Sequence, residues 1–192
     1  MSQQPNSSIL TEQREFSPEE RTILLKLAHE AIASVLKYRE IPLDAPSSHL
    51  AELRGAFTTL YKHGNLRGCV GYVLPTTSLY RTIADTARGA AFEDTRFRPV
   101  VAEELPDLEV SLSILSLPQP IEPGQIEIGR HGLLISQAGH RGLLLPQVPA
   151  EHGWDRLAFL QQTCTKAGLP LNAWEHGAKI EAFTAEIFGD EN

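Results

Sequence analysis

The sequence predicts an α+β fold, an antiparallel sheet with helices packed on it. Three observations carry that prediction. Two hairpin signals demand antiparallel pairing, helical apolar stripes are interleaved with them, and the regular strand-helix-strand rhythm of a parallel doubly wound sheet is absent. At 192 residues the chain is long enough to bury a core without disulfide or metal staples, and it reads as a polar N-terminal arm over residues 1–15 followed by one domain over residues 16–192.

The first helix opens at Ser17-Pro18-Glu19-Glu20, where Ser17 is a capping residue, Pro18 suits the first helical position and Glu20 completes a capping box. Leu24, Leu27, Ala28, Ala31 and Val35 recur at helical spacing and predict one buried stripe; Pro42 and Pro46 end the helix and open a loop. Ala56 to Lys62 and Leu66 to Val73 follow as strands joined by His63-Gly64-Asn65. Strict alternation places Arg67, Cys69 and Gly71 on one face of the second strand, and Leu66, Gly68, Val70 and Tyr72 on the other. Pro75 closes the pair, and Ser78 caps a second helix carrying Leu79, Ile83, Ala87 and Ala91 on one side, alanines that predict close packing on a sheet.

Phe92 to Pro106 reads as a long connection of the kind that carries function or marks a lobe boundary. Leu108, Val110, Leu112 and Ile114 alternate as a half-buried strand, after which Pro118 to Gly129 turns repeatedly. A second hairpin runs over Gly132 to Ser136 and Arg141 to Leu145 around Gln137-Ala138-Gly139-His140, ending at Pro146. Asp155 caps a third helix with Leu157, Leu160 and Cys164 on one face, Gly168 at its stop and Pro170 beyond. Ile180 to Phe188 is the last strand, and no repeat, heptad run or low-complexity tract is present.

Apolar residues at 42% and charged residues at 21% belong to a folded globular chain. A net charge of -7 and a pI near 5.5 give no general attraction to nucleic-acid phosphates, so nucleic acid is set aside as the main partner. No apolar run reaches bilayer length and the start lacks the regions of a signal peptide, so no membrane association is predicted. Cys69 and Cys164 are too few and too far apart for a secreted disulfide framework, and a reducing cytoplasmic home is expected. Seven histidines show neither HExxH nor paired Cys/His spacing, so no metal is assigned. No Walker A, GxGxxG, GxSxG or kinase pattern occurs, so no cofactor is named.

Gly68 and Gly71 flank Cys69, and glycine inside a strand marks either a packing bulge or a place where another backbone or a ligand comes close. Arg67, two residues from the thiol, stands about 7 Å away by strand geometry, near enough to favour the thiolate. Cys69 is thus a candidate nucleophile, against the alternative of a small buried hydrophobe. Arg67, Gly68 and Gly71 are candidate substrate-binding positions beside it. His131 opens the second hairpin and is a candidate base or donor, or a side chain that only satisfies the backbone. Glu93 and Asp94 next to Arg96 are candidate acid-base or phosphate-handling groups, or a solvated charge run. Cys164 reads as core, with Trp154 and Trp174 covering its edges or facing a partner.

Leu66 to Gly71 (LRGCVG) resembles the AMMECR domain family, the protein A component of the AmmeMemoRadiSam system. Ala56 to Leu60, Phe92 to Glu104 with Arg96-Phe97, His131-Gly132-Leu133, Leu145 to Val148, Trp154-Asp155 and Cys164 to Leu169 fall in the family's order and approximate spacing, covering nearly the whole chain after Glu15. Where the family commonly reads DPRF, this chain has Asp94-Thr95-Arg96-Phe97, losing the rigidity of the proline. The resemblance implies a larger and a smaller lobe and a cleft gathering Arg67, Gly68, Cys69 and His131. It also implies two partners, a Memo-like protein and a radical S-adenosylmethionine (SAM) enzyme. Two functions are compatible with it. In one, a cleft around Arg67 and Cys69 binds or modifies a small anionic substrate, with Cys69 as nucleophile, Arg67 on the anion and His131 moving a proton. In the other, the same strand docks those partners without catalysis.

Overall fold

Helix α1 (Pro18–Leu36) starts where its capping box places it: Glu20 N–H donates to Ser17 Oγ at 3.2 Å and Ser17 N–H to the Glu20 carboxylate at 3.0 Å. The computed structural model describes residues 15–74 and 76–190, so the expected arm lies, but for Glu15, outside the described residues, as does Pro75. Leu24, Leu27, Ala28 and Ala31 are buried as the stripe requires. Val35 is not; it stands 41% exposed, and Ile32 is buried instead. The helix stops at Leu36, short of the two prolines, as Tyr38 enters the left-handed region at φ 48°.

Strands β1 (Ala56–Lys62) and β2 (Asn65–Tyr72) form the first hairpin through a two-residue turn, His63-Gly64, with both φ positive at 51° and 74°. Helix α2 (Leu79–Phe92), capped by Ser78 on Arg81 N–H, lies across β1 and β2, and α1 packs on α2 and on β3 (Leu108–Leu115). Gly89 and the alanines at 84, 87, 90 and 91 let α2 approach closely, and a Cβ on Gly68 would collide with the Ala90 carbonyl oxygen. The connection after α2 is not featureless, since Ala102–Asp107 form a 3-10 turn leading into β3.

The chain then builds a second sheet. Its strands are β4 (Gln119–Pro120), β5 (Gly132–Gln137), β6 (His140–Leu144) and β7 (Lys179–Phe183), with helices α3 (Gln147–His152) and α4 (Arg156–Lys166) between β6 and β7. Helix α3 was not expected. Helix α4 is capped by Asp155 as expected, but it buries Phe159, Leu160, Thr163 and Cys164 while Leu157 is half exposed, so the apolar face is rotated from the expected one.

The expected last strand is two strands. Residues 179–183 pair with β5, whereas β8 (Ala185–Gly189) pairs with β3, so the strand order is β2-β1-β3-β8 in one sheet and β4-β7-β5-β6 in the other, all antiparallel. The switch falls at Thr184. There Ser116 N–H donates to Thr184 C=O and Thr184 N–H to Ser116 Oγ, both at 2.9 Å, pinning the outgoing and returning chains together. Each sheet has its own core, a larger one under α1 and α2 and a smaller one between the second sheet and α4 that contains Cys164. Among the described residues no helix is long and apolar enough to cross a membrane.

Candidate functional site at the edge of the first sheet

Strand β2 is an edge strand, and one irregularity decides what it presents. Leu60 pairs with Gly68 but Tyr61 pairs with Leu66, leaving Arg67 as the extra residue of a β-bulge. Beyond the bulge Gly68 and Val70 oppose Leu60 and Thr58 on the helix-covered face, while Cys69 and Gly71 oppose Thr59 and Phe57 on the other. A regular ladder from the same turn would have set Cys69 opposite buried Thr58. The bulge therefore places the thiol on the face that α1 and α2 leave uncovered.

The bulge also removes Arg67 from the expected row with Cys69 and Gly71. Its Nε and Nη2 donate to the two oxygens of Glu104 at 3.1 and 2.9 Å, and Lys62 Nζ donates to the same carboxylate at 3.1 Å. Val101 N–H completes the set at 3.2 Å. The Arg67 hydrogen bonds come first among the causes that lower the pKa of Glu104 to about 2. Arg67 Nη1 is buried without a partner among the described residues.

Around Cys69 the contacts are of a different kind. Thr59 Oγ1 donates to Cys69 Sγ at 3.3 Å across the strand pair. Cys69 N–H points to the open edge and donates to Asp94 Oδ2 at 2.8 Å. The Asp94 side chain is only 6% exposed and forks onto Arg96, whose Nε and Nη2 donate at 2.9 and 2.6 Å. Arg96 first and the Cys69 N–H second hold the Asp94 carboxyl well below the usual carboxylate range. Asp94 N–H and Val100 N–H both bond carbonyls of the end of α2, and Phe97 N–H donates to Asp94 C=O, so the segment turns back along the strand edge. With no proline in Asp94-Thr95-Arg96-Phe97, the Asp94 side chain fixes the turn through Arg96 N–H at 3.2 Å.

The glycines have packing reasons. Gly68 meets Ala90 as described, and a Cβ on Gly71 would enter the Phe57 ring. His131 stands at the head of β5 in the second sheet. Its Nδ1 accepts Glu127 N–H at 3.1 Å, and burial lowers its pKa, with Glu127 opposing that shift. The structure thus brings Cys69, Gly71 and Gly68 onto one strand with Arg67 in the bulge, and among the described residues no hydrogen bond of His131 reaches the first sheet. Two surface cavities lie elsewhere, one of about 400 Å³ beside Arg156 and Trp174, the other of about 390 Å³ between Tyr72, Leu74 and the start of α2; Cys69 lines neither. Among the described residues no three His, Cys, Asp or Glu side chains gather as a metal site.

Thr59, Glu104 and Lys62 are members of this edge that sequence reasoning does not reach, and for Asp94 and Arg96 it offers both chemistry and solvated surface. The signal for Thr59 was the register, hidden because the bulge shifts it by one residue. For Glu104 it was the charge balance of Arg67, which needs an acidic partner once half-buried.

The model of the AMMECR1 family matches residues 25–188 of this chain. Protein TK0174 of Thermococcus kodakarensis is 43% identical over 183 residues, covering 88% of this chain and 89% of that one. A protein of Methanosarcina acetivorans is 40% identical, covering 90% and 92%. The crystal structure of protein PH0010 from Pyrococcus horikoshii is similar at a TM-score of 0.66 and 40% identity, covering 88% of this chain and 90% of that one.

Proposed function

The chain belongs to the AMMECR1 family, and from that membership and the geometry of the β2 edge we propose that it binds and covalently modifies a small anionic electrophile through Cys69. The observation that carries this reading is the setting of the thiol. It lies on the uncovered face of an edge strand, with a hydroxyl donor on one side and a clamped carboxylate-guanidinium pair on the other. Such a setting suits a working thiol better than a packing one.

In the simplest step, the sulfur electron pair forms an S–C bond to a carbonyl carbon, the C=O π pair moves to oxygen, and the thiol proton follows it. Thr59 steadies the sulfur. Arg67, Gly68 and Gly71 hold the strand in the bulged form that presents it. His131 enters as a donor through Nε2, its Nδ1 being taken by Glu127. A Memo-like protein and a radical SAM enzyme, in the cytoplasm, are the partners that would supply or consume the substrate.

The test uses Cys164→Ser protein and iodoacetamide at pH 7. Cys69 is expected to alkylate in the folded protein faster than free cysteine, with the label lost in Cys69→Ser. Labelling only on unfolding would overturn the reading.

A second reading, docking of the same partners, is favoured by the apolar side chains exposed along this edge, Leu66 and Tyr72 on β2 and Leu74 beyond it. Gly68→Val cannot test it, because that change strikes the α2 backbone. Leu66→Asp can: loss of partner binding with alkylation of Cys69 unchanged would support docking, and unchanged binding would count against it.

A further inference from the structure

Two arginines flank the thiol, and their geometry assigns them different work. Arg67 is 15% exposed, its Nε and Nη2 are held by Glu104 and its Nη1 is buried. Arg96 is 57% exposed, and Asp94 takes only its Nε and one Nη2 hydrogen. That leaves the far end of the guanidinium, two Nη1 hydrogens and one on Nη2, facing out as a second fork. The Phe97 ring lies 5.4 Å beneath Arg96 Cζ and keeps the plane in place.

The position of this fork is set by one atom. Asp94 Oδ2 accepts both Cys69 N–H at 2.8 Å and Arg96 Nη2 at 2.6 Å, so the two nitrogens are no more than about 5.5 Å apart. Asp94 neutralises part of the Arg96 charge, yet it also fixes the plane, which is what a bidentate contact needs.

We propose that Arg96 is the specificity-determining residue of the site, gripping a carboxylate one or two bonds from the carbon that Cys69 attacks, so that the substrate class is a small α- or β-substituted carboxylic acid. This rests on the reading of Cys69 as a working thiol and adds the identity of the anion-binding residue, which that reading does not assign. Arg67, with its Nε and Nη2 held by Glu104 and its Nη1 buried, acts through the strand.

Two probes of equal reach separate the inference from the reading beneath it. Iodoacetate and iodoacetamide both form an S–CH2 bond with loss of iodide, but only the first carries a carboxylate. In Cys164→Ser protein, the ratio of their rates at Cys69, divided by the same ratio for N-acetylcysteine, is expected to be about five or more at low salt. It should fall toward one in 0.5 M salt, as charge screening requires. Arg96→Gln should abolish the preference while iodoacetamide still reacts, and Arg98→Gln, an exposed arginine of the same segment, should keep it.

A normalised ratio of one in the unaltered site, or equal losses in Arg96→Gln and Arg98→Gln, would overturn the assignment and leave the thiol reading standing. Failure of both reagents to label the folded protein would overturn the thiol reading, and the assignment would fall with it.

Discussion

The two hairpins of this molecule are built to the same plan and end with different faces. Each turns through two residues of positive φ, His63-Gly64 in the first and Ala138-Gly139 in the second, and each has a glycine in its edge strand packed against the end of a helix. Gly68 meets Ala90 of α2; Gly142 meets Ala167 at the end of α4. The second ladder is regular from Gln137-His140 to Leu133-Leu144. The first contains the extra Arg67 and carries its cysteine on the uncovered face, whereas Cys164 lies in α4, in the core beneath the second. A common scaffold therefore becomes a candidate site through one inserted residue and one acidic side chain folded over the strand edge.

The largest expected effect contrasts the two thiols. Burial raises the pKa of Cys164, and reagent can reach it only when the protein opens. Competitive alkylation with mass-spectrometric readout should find Cys69 modified at least about 10³-fold faster, since opening of the core has an equilibrium constant that small or smaller. Comparable rates would erase the distinction between the hairpins. Next comes the feature they share: Gly68→Val and Gly142→Val should each cost about 3 kcal/mol or more in urea unfolding, because the atom struck is backbone in both. A mild effect at one alone would show that its helix does not rest on the strand as described.

A smaller effect belongs to the first hairpin only. Glu104→Gln leaves Arg67 and Lys62 without their anion and should cost about 1–2 kcal/mol at pH 7. The sign with pH follows from a folded pKa of about 2 against an ordinary 4.5. Stability from Glu104 is complete above pH 4.5 and is lost as pH falls through 2, so the wild-type and variant curves should converge over that window. Curves that stay parallel would mean that Glu104 is not the group responsible. Smallest are the turns, where Gly64→Ala and Gly139→Ala meet no neighbour but force alanine to positive φ, for about 1 kcal/mol each in thermal unfolding.

Much of this was legible in the sequence where local chemistry and tertiary structure agree. Ser17-Pro18-Glu20, Ser78 and Asp155 announced their helices because a cap is a contact within four residues. The α+β class followed from the hairpins. The bulge was not legible, because Arg67 belongs to the strand by propensity and becomes extra only when β1 is laid beside it. The division at Thr184 was hidden for a similar reason: the segment is extended on both sides and only its pairing partner changes. At the site, LRGCVG drew attention to Cys69, but the charges near it come from Asp94 and Arg96, 25 residues further along in the case of Asp94. Only the close packing of α2 on Gly68 brings them back to the strand.

The crossing at Ser116 and Thr184 sets an order of assembly during synthesis. Because β4 to β7 are encoded between β3 and β8, the ribosome makes the whole smaller sheet while the larger one stands at three strands. At about 5–20 residues per second, the interval between Leu115 and Ala185 lasts roughly 4–14 s. Throughout it the β3 edge, from Ser111 to Leu115, has no neighbour on its far side. The lobe that begins first is thus the last to close, and a nascent chain carrying a finished second lobe still exposes the strand edge that β8 will cover.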